Sequence, residues 1–393
     1  MPGRLSPLPR MTKPSLLELP PGVQLVYLAE GGANVIYRFV PSSHLAVEDE
    51  SRQPFSSSSS SSTTKIPHDR DPLIENSAVP LPAIFKGKLL RLRKQTASDL
   101  PYKEIVANFN TKIRPLFPAN ELVDQTLIRL PTDLIPHCNE SLRAEERDGS
   151  RPAKRHGSYL CLSEPFGLLI TDMTVLNDPS AATLAEFKPK WLLQSPSAPA
   201  SADRCRTCAL REMKNRSARG GKEVRSFCPL DLVSERFEDV LRAATFVRRA
   251  GGGGSEYDRV RLAKILFRNP TLRNLLSKQK SFREVGLLGP EVLSRENSLD
   301  MTLRDCTMFV KIPRDELSPV EIRLGDLDLK TGAGGKAQYW RDLEHQLIDG
   351  GWYSTAGSDD SQKHECALSL SRDEFKGNGN GNGNGNGNGV RSG

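Results

Sequence analysis

The chain has 393 residues, 37% hydrophobic and 6% aromatic, with a formal net charge of +7; that length suits one two-lobed domain or two ordinary ones. The basic excess attracts polyanions, whether nucleic acid, anionic membrane or a phosphorylated small molecule, without choosing among them, and a merely basic soluble surface satisfies it equally. No run reaches the roughly 18–20 apolar residues of a membrane span, and no apolar stretch follows Arg4 and Arg10, so neither a membrane anchor nor secretion is expected.

In chain order, residues 1–17 read as a flexible N-terminus. VQLVYLAEGGANVIYRFV (23–40) reads as strand, glycine turn and strand. The stretch at about 41–80 holds the serine run Ser56–Ser62 among Pro, Asp and Glu, has no periodic apolar face and is expected to be disordered. AIFKGKLLRLRK (83–94) predicts a further strand, and YKEIVANFNTKIRPLF (102–117) a helix with Ile105, Phe109 and Ile113 on one face. The dense charge of 139–157 predicts a loop. SYLCLSEPFGLLITDM (158–173) reads as strand interrupted at Pro165-Phe166-Gly167.

LAEFKPKWLL (184–193) predicts a short strand. Helical spacing recurs over 231–248 and over 260–276, the latter divided by Pro270. Gly251–Gly254 reads as a flexible loop. MFVKI (308–312) and VEIRLGDLDLK (320–330) predict strands, and AQYWRDLEHQLIDGGWY (337–353) a helix ended by Gly350-Gly351. The Gly-Asn repeat of 377–389 predicts disorder, within a tail of 371–393. Strands dominate the first half and helices the second. The fold class expected is α+β, a bilobal kinase-like fold with a smaller sheet-rich N-lobe (18–165) and a larger α+β C-lobe (166–370).

Five segments offer chemistry. EGGAN (30–34) lies between strands, where adjacent glycines let backbone N–H groups approach a polyphosphate; an ordinary hairpin turn reads the same way. KGKLLRLRK (86–94) supplies cations from the same lobe, as a kinase requires, or is a basic edge strand protected against edge pairing. In EFKPKWL (186–192), an extended chain puts Glu186, Lys188 and Lys190 on one face, for an anionic ligand or as snorkelling surface lysines. In GDLDLK (325–330), Asp326 and Asp328 share one side, beside Lys330; hard carboxylate oxygens so spaced suit magnesium. In MTLRDCTMFVKI (301–312), Asp305 precedes an apolar strand and could orient an acceptor hydroxyl and take its proton, or serve as a turn residue.

These segments, taken in order, resemble the motifs of the inositol-pentakisphosphate 2-kinases, fungal branch: EGGAN the Glu-Gly-x-Ala-Asn loop, EFKPKWL the Glu-Ile-Lys-Pro-Lys motif, MTLRDCTMF the Met-Thr-x-x-Asp-Cys-Ser/Thr motif, and GDLDLK the Asp-Leu-Asp-Leu-Lys motif. RCRTCALREMK (204–214) is similar to the family's Arg-Tyr-x-Met-His-Gln segment, with Leu210 where better-known members have His. The resemblance implies ATP and Mg2+ as cofactors and transfer to the 2-hydroxyl of inositol 1,3,4,5,6-pentakisphosphate, giving the hexakisphosphate. It implies Asp305 and Lys188 as catalytic. Gly31, Gly32, Ala33, Asn34, Arg91, Glu186, Lys188 and Asp326 would bind ATP, and Asp326 and Asp328 the metal. Lys190, Arg206, Lys214, Asn274, Lys330, Lys336 and Tyr339 would bind the substrate, with 164–173 as the connector beside adenine.

A monomer without a stable nucleic-acid partner or membrane, in nucleus or cytoplasm, is the matching expectation. An inactive inositol-phosphate sensor and a basic nucleic-acid-binding protein are the rival readings. The seven cysteines are odd in number and scattered, so no disulfide framework is expected. Plant members of the family carry a structural zinc held by Cys and His. Here Cys205 and Cys208 form a C-x-x-C and Cys228 follows, but no fourth ligand is evident, and reduced core thiols are the reading preferred.

Overall fold

A computed structural model describes residues 16–21, 23–40, 82–96, 100–175, 180–217, 224–247, 256–282, 287–288, 295–330, 332, 335–355 and 366–370. The expectations of disorder at 1–17 and 41–80, almost all of the first and all of the second, and those at 251–254 and 371–393 lie outside them. The chain divides into two compact units, one running to Ala107 and including Asp124–Asp172, the other made of Asn108–Val123 and the chain from Met173 onward. The structure is mixed α+β. Among the described residues no helix is long and apolar enough to cross a membrane.

The first unit is built on six strands: β1 (Leu17–Glu18), β2 (Gln24–Glu30), β3 (Asn34–Val40), β4 (Lys88–Arg93), β5 (Gln125–Arg129) and β6 (Phe166–Thr171). They lie in the order β1-β5-β6-β4-β3-β2, antiparallel except for the β1–β5 pair. Alternation sets the core face of β3, where Val35, Tyr37 and Phe39 are buried. The basic segment KLLRLR is not the edge strand weighed from sequence. It is β4, paired on both sides, with Leu89, Leu90, Arg91 and Leu92 all buried. Gly167 falls within β6 rather than interrupting it, because a Cβ there would meet Leu90 and Leu130 side-chain carbons at 2.9 and 3.0 Å.

The charged stretch expected to be a loop is largely helix: α2 covers Leu134–Asp148. Ile135, Cys138 and Leu142 recur at helical spacing and bury against the sheet, and charge on the remaining faces obscured that stripe. Gly149 ends the helix with φ of 79°. The helix expected over 102–117 is shorter, α1 (Tyr102–Asn108), followed by a π turn at Phe109–Ile113. Ile105 packs in the first unit with Tyr102 and Phe166, whereas Phe109 and Ile113 belong to the core of the second.

The second unit has an antiparallel sheet of β7 (Ala182–Phe187), β8 (Thr307–Pro313) and β9 (Glu321–Gly325), in that order. Its helices are α3 (Arg206–Ser217), α4 (Phe237–Phe246), α5 (Glu256–Leu266), α6 (Pro270–Ser281), α7 (Arg295–Leu303) and α8 (Lys336–Asp349). Pro270 separates α5 from α6 as expected. Asn269 caps α6 by accepting the Leu272 N–H at 3.2 Å. The core joins Val240, Ala243, Leu262, Leu266, Leu272 and Leu275 from the helices to Phe187, Met308, Val310 and Leu324 from the sheet.

Candidate active site

In the second unit, the register pairs Phe187 with Met308 and Thr307 with Gly325. The end of β7, the start of β8 and the end of β9 therefore meet at one edge of the sheet. Lys188 and Lys190 leave β7 there, Asp305 leads into β8, and Asp326, Asp328 and Lys330 leave β9. The strands stop sooner than the sequence suggests. β7 ends at Phe187 and Lys190 has φ of 60°; β9 ends at Gly325 and Asp326 has φ of 55°. Side chains with Cβ avoid that left-handed region, at a cost of about 1–3 kcal/mol each. Two of the three non-glycine residues that adopt it among the described ones lie at this edge. Leu327 is buried in the core between the two aspartates and anchors the turn.

The side chains converge. Lys188 Nζ donates to Asp326 Oδ2 at 2.6 Å and to the Asp305 carbonyl at 2.6 Å. Lys190 Nζ donates to Asp305 Oδ1 at 2.7 Å, and Lys330 Nζ lies 3.2 Å from Asp305 Oδ2. Burial acts to raise the Asp305 carboxyl, but Lys190 foremost, then Lys330 and Lys188, outweigh it and hold it below its ordinary range. For Lys188 burial acts to lower the ammonium, and Asp326 and Asp305 reverse that, so it stays charged. Glu186 is solvent-exposed near the end of β7.

Positioning comes from groups that sequence reading missed. Gln279 of α6, fully buried, donates to the carbonyls of Lys190 and Leu303 at 2.9 and 3.1 Å and accepts from Leu192 N–H at 2.9 Å. It ties the loop after β7 to the C-terminal end of α7. Thr302 Oγ1 accepts the Lys330 N–H at 2.8 Å. Arg304 lies 3.7 Å over the Trp191 ring and pairs with Asp300 at 2.5 Å. Burial pushes Asp300 up to about 7 and Arg304 down to about 10. The contacts of Gln279 with Lys190 and Leu192 and of Arg304 with Trp191 span more than 80 residues of sequence and leave no local pattern to read.

A cleft of about 660 Å³ in this unit is lined by Lys188, Lys190, Leu210, Lys214, Arg225 and Phe227 among others. Lys214 and Arg225 are exposed on it. Arg206 is instead buried, donating to Glu344 Oε2 at 2.7 Å and lying 4.5 Å over Trp191. Asn274 donates to both Glu121 carboxylate oxygens at 3.0 Å. Lys336 and Tyr339 are exposed on the first turn of α8. The structure brings Lys188, Lys190, Asp305, Asp326 and Lys330 together.

The first unit carries the remaining candidates. Gly31–Ala33 turn between β2 and β3, held by the Gly31 N–H to Asn34 carbonyl bond at 2.9 Å. Neither glycine has positive φ, and nothing obstructs a Cβ at Gly32, so the turn itself does not demand glycine there. Glu30 beneath it is clamped by Arg151 and Lys94, all three buried, and Lys94 Nζ also donates to the Gly31 carbonyl at 3.0 Å. Tyr102 Oη donates to Asn34 Oδ1 at 3.0 Å, and the Arg91 guanidinium lies 5.9 Å over the Tyr102 ring. A larger cavity of about 880 Å³ here has Asp133, Glu145 and His137 as its titratable lining besides tyrosines and a thiol, without lysine or arginine, and suits a polyanion poorly.

The model of the family described as inositol-pentakisphosphate 2-kinase matches residues 27–249 and 254–346. The chain belongs to this family. It is 33% identical over 295 residues to the inositol-pentakisphosphate 2-kinase of Yarrowia lipolytica, covering 69% of this chain and 87% of that protein. All the inositol-pentakisphosphate 2-kinase motifs read from the sequence, from Glu30 to Lys330, fall inside the matched residues.

Proposed function

We propose that the protein uses ATP to phosphorylate the 2-hydroxyl of inositol 1,3,4,5,6-pentakisphosphate, giving inositol hexakisphosphate. The two units would be the lobes of a kinase-like fold. The observation that carries the reading is a single carboxylate, Asp305, ringed by three ammonium groups beside a basic cleft. The three lysines outnumber the two carboxylates, Asp305 and Asp326, with which they pair. They are placed to exchange part of their pairing for phosphate oxygens when a polyanion arrives.

Asp305 would orient the acceptor hydroxyl and take its proton as the new P–O bond forms and the bond to the leaving diphosphate breaks. Its depressed pKa makes it a weak base, so most of its contribution would be orientation, with proton transfer late along the reaction. Lys188 would stabilise charge on the transferred phosphoryl group. Lys190, Lys330 and Lys214 would hold substrate phosphates. The Gly31–Asn34 turn would cover the nucleotide phosphates with backbone N–H groups, which explains glycine where the turn does not require it; Arg91 and Glu186 would serve the nucleotide side.

Asp326 and Asp328, one exposed and one half-buried, offer hard oxygens in the donor class that magnesium prefers, and these are the residues that would hold it. When bound, magnesium neutralises charge on the phosphate oxygens. None of the seven cysteines is in a disulfide, which would fit a nuclear or cytoplasmic protein.

The test is Asp305→Asn. It should retain pentakisphosphate binding by calorimetry and lose turnover by about 10²–10⁴-fold. Unchanged turnover would remove Asp305 from the chemistry.

A further inference from the structure

Four cysteines from three separate places in the second unit come together. Cys205 precedes α3 and Cys208 lies in its first turn. Cys228 precedes the 3-10 turn Pro229–Val233, and Cys366 precedes the short helical segment 367–370. All four are buried, and their sulfurs lie within 4.8 Å of one another. Cys366 lies beyond the last residue that the family model matches, Gln346.

Three features separate this cluster from packed thiols. A zinc–thiolate distance of about 2.3 Å sets the edge of a sulfur tetrahedron at about 3.8 Å. The Cys205–Cys228 and Cys228–Cys366 separations are 3.7 and 3.8 Å. Those lengths are far beyond the roughly 2.05 Å of a disulfide. Two donors also point at the sulfurs: the Cys205 N–H at 3.2 Å from Cys366 Sγ, and the Arg211 guanidinium at 3.3 Å from Cys208 Sγ. N–H groups aimed at sulfur offset the surplus negative charge of a four-thiolate site and orient its ligands.

We propose that Cys205, Cys208, Cys228 and Cys366 bind one structural Zn2+ in a closed, tetrahedral, all-cysteine site. Binding releases the thiol protons as the four Zn–S bonds form, with no change of oxidation state. The sequence hides the site because its fourth ligand is 138 residues from the third. The ion fastens the 366–370 segment to α3 and to the turn after Phe227, which are two parts of the cleft wall, since Thr207, Leu210, Lys214 and Phe227 all line it. This reading stands apart from the phosphoryl-transfer chemistry and uses none of its residues.

The test is metal content. The full chain, expressed and purified with zinc and without chelator, should hold one zinc per chain by plasma mass spectrometry. X-ray absorption should give four sulfur neighbours at about 2.3 Å. Cys366→Ser should cut the content to near zero or lower affinity at least tenfold, while Cys161→Ser, a buried thiol of the first unit, should leave it at one. Because Cys366→Ser could misfold, cobalt substitution of the unmutated chain is the second measurement, expected to give the thiolate charge-transfer absorption of a tetrahedral site. A zinc-free chain with seven titratable thiols in denaturant would mean packed thiols, and fewer than seven would mean a disulfide. Either result overturns the proposal, as does oxygen or nitrogen in the zinc shell.

Discussion

Asp305 and its three lysines set the behaviour of the site with pH. A carboxyl held below its unfolded value stays ionised at neutral pH. The stability it contributes is complete above the unfolded value of about 3.9 and is lost as pH falls through the lower folded value. The acid limb of activity due to this group should therefore lie below the ordinary carboxylate range. Lys190 is the strongest of its cationic partners, so Lys190→Met should move that limb upward toward the ordinary carboxylate range and raise KM for the polyphosphate acceptor. A paired pH profile of kcat/KM checks it; coincident limbs would mean that Lys190 does not tune Asp305.

The left-handed backbone at Lys190 and Asp326 belongs to the same scale. Residue identity there was legible, because EFKPK and GDLDLK are contiguous. The alternation argument that put Glu186, Lys188 and Lys190 on one strand face failed, because the strand stops at Phe187 and a turn delivers Lys190. Periodicity assumes regular backbone, and a strained turn at a strand end violates the assumption.

Elements were read best where one local rule dominated. Pro270 marked the break between α5 and α6, and Gly350-Gly351 followed the end of α8. α2 was misread because its apolar stripe is narrow and its other faces are charged. Links between elements were invisible. Gln279 reaches the loop after β7 and the end of α7, which neither sequence spacing nor composition connects to it. Gln279→Leu would remove the side-chain partner of the Lys190 carbonyl and of the Leu192 N–H, and one of two donors to the Leu303 carbonyl. At roughly 1–3 kcal/mol for a buried unsatisfied group, the melting temperature should drop clearly. Turnover should fall with a raised KM even where the variant is folded. An unchanged melting curve would show that neither segment depends on this side chain. The converse case is the tail. No motif lies in 377–393 and the family match ends at 346, so deleting 377–393 should leave kcat/KM within about twofold, a change too small to implicate a contact. A tenfold loss would assign the tail a role.

At the scale of the whole molecule, the chain divides into one unit built on the six-stranded sheet and another that holds the three-stranded sheet with α3–α8, with 166–172 in the first and 108–123 in the second. Lys188, Lys190, Lys214 and Arg225 line one cleft of the second unit, together with Arg211 and Glu186. The most direct test of the account is transfer of labelled γ-phosphate from magnesium-ATP to inositol pentakisphosphate, with products resolved by chromatography and with Asp305→Ala and Lys188→Ala alongside. The account predicts labelled hexakisphosphate, the label on the 2-position, lost in both variants. Folded, unmutated protein that binds pentakisphosphate and transfers nothing would contradict it and make the protein a sensor.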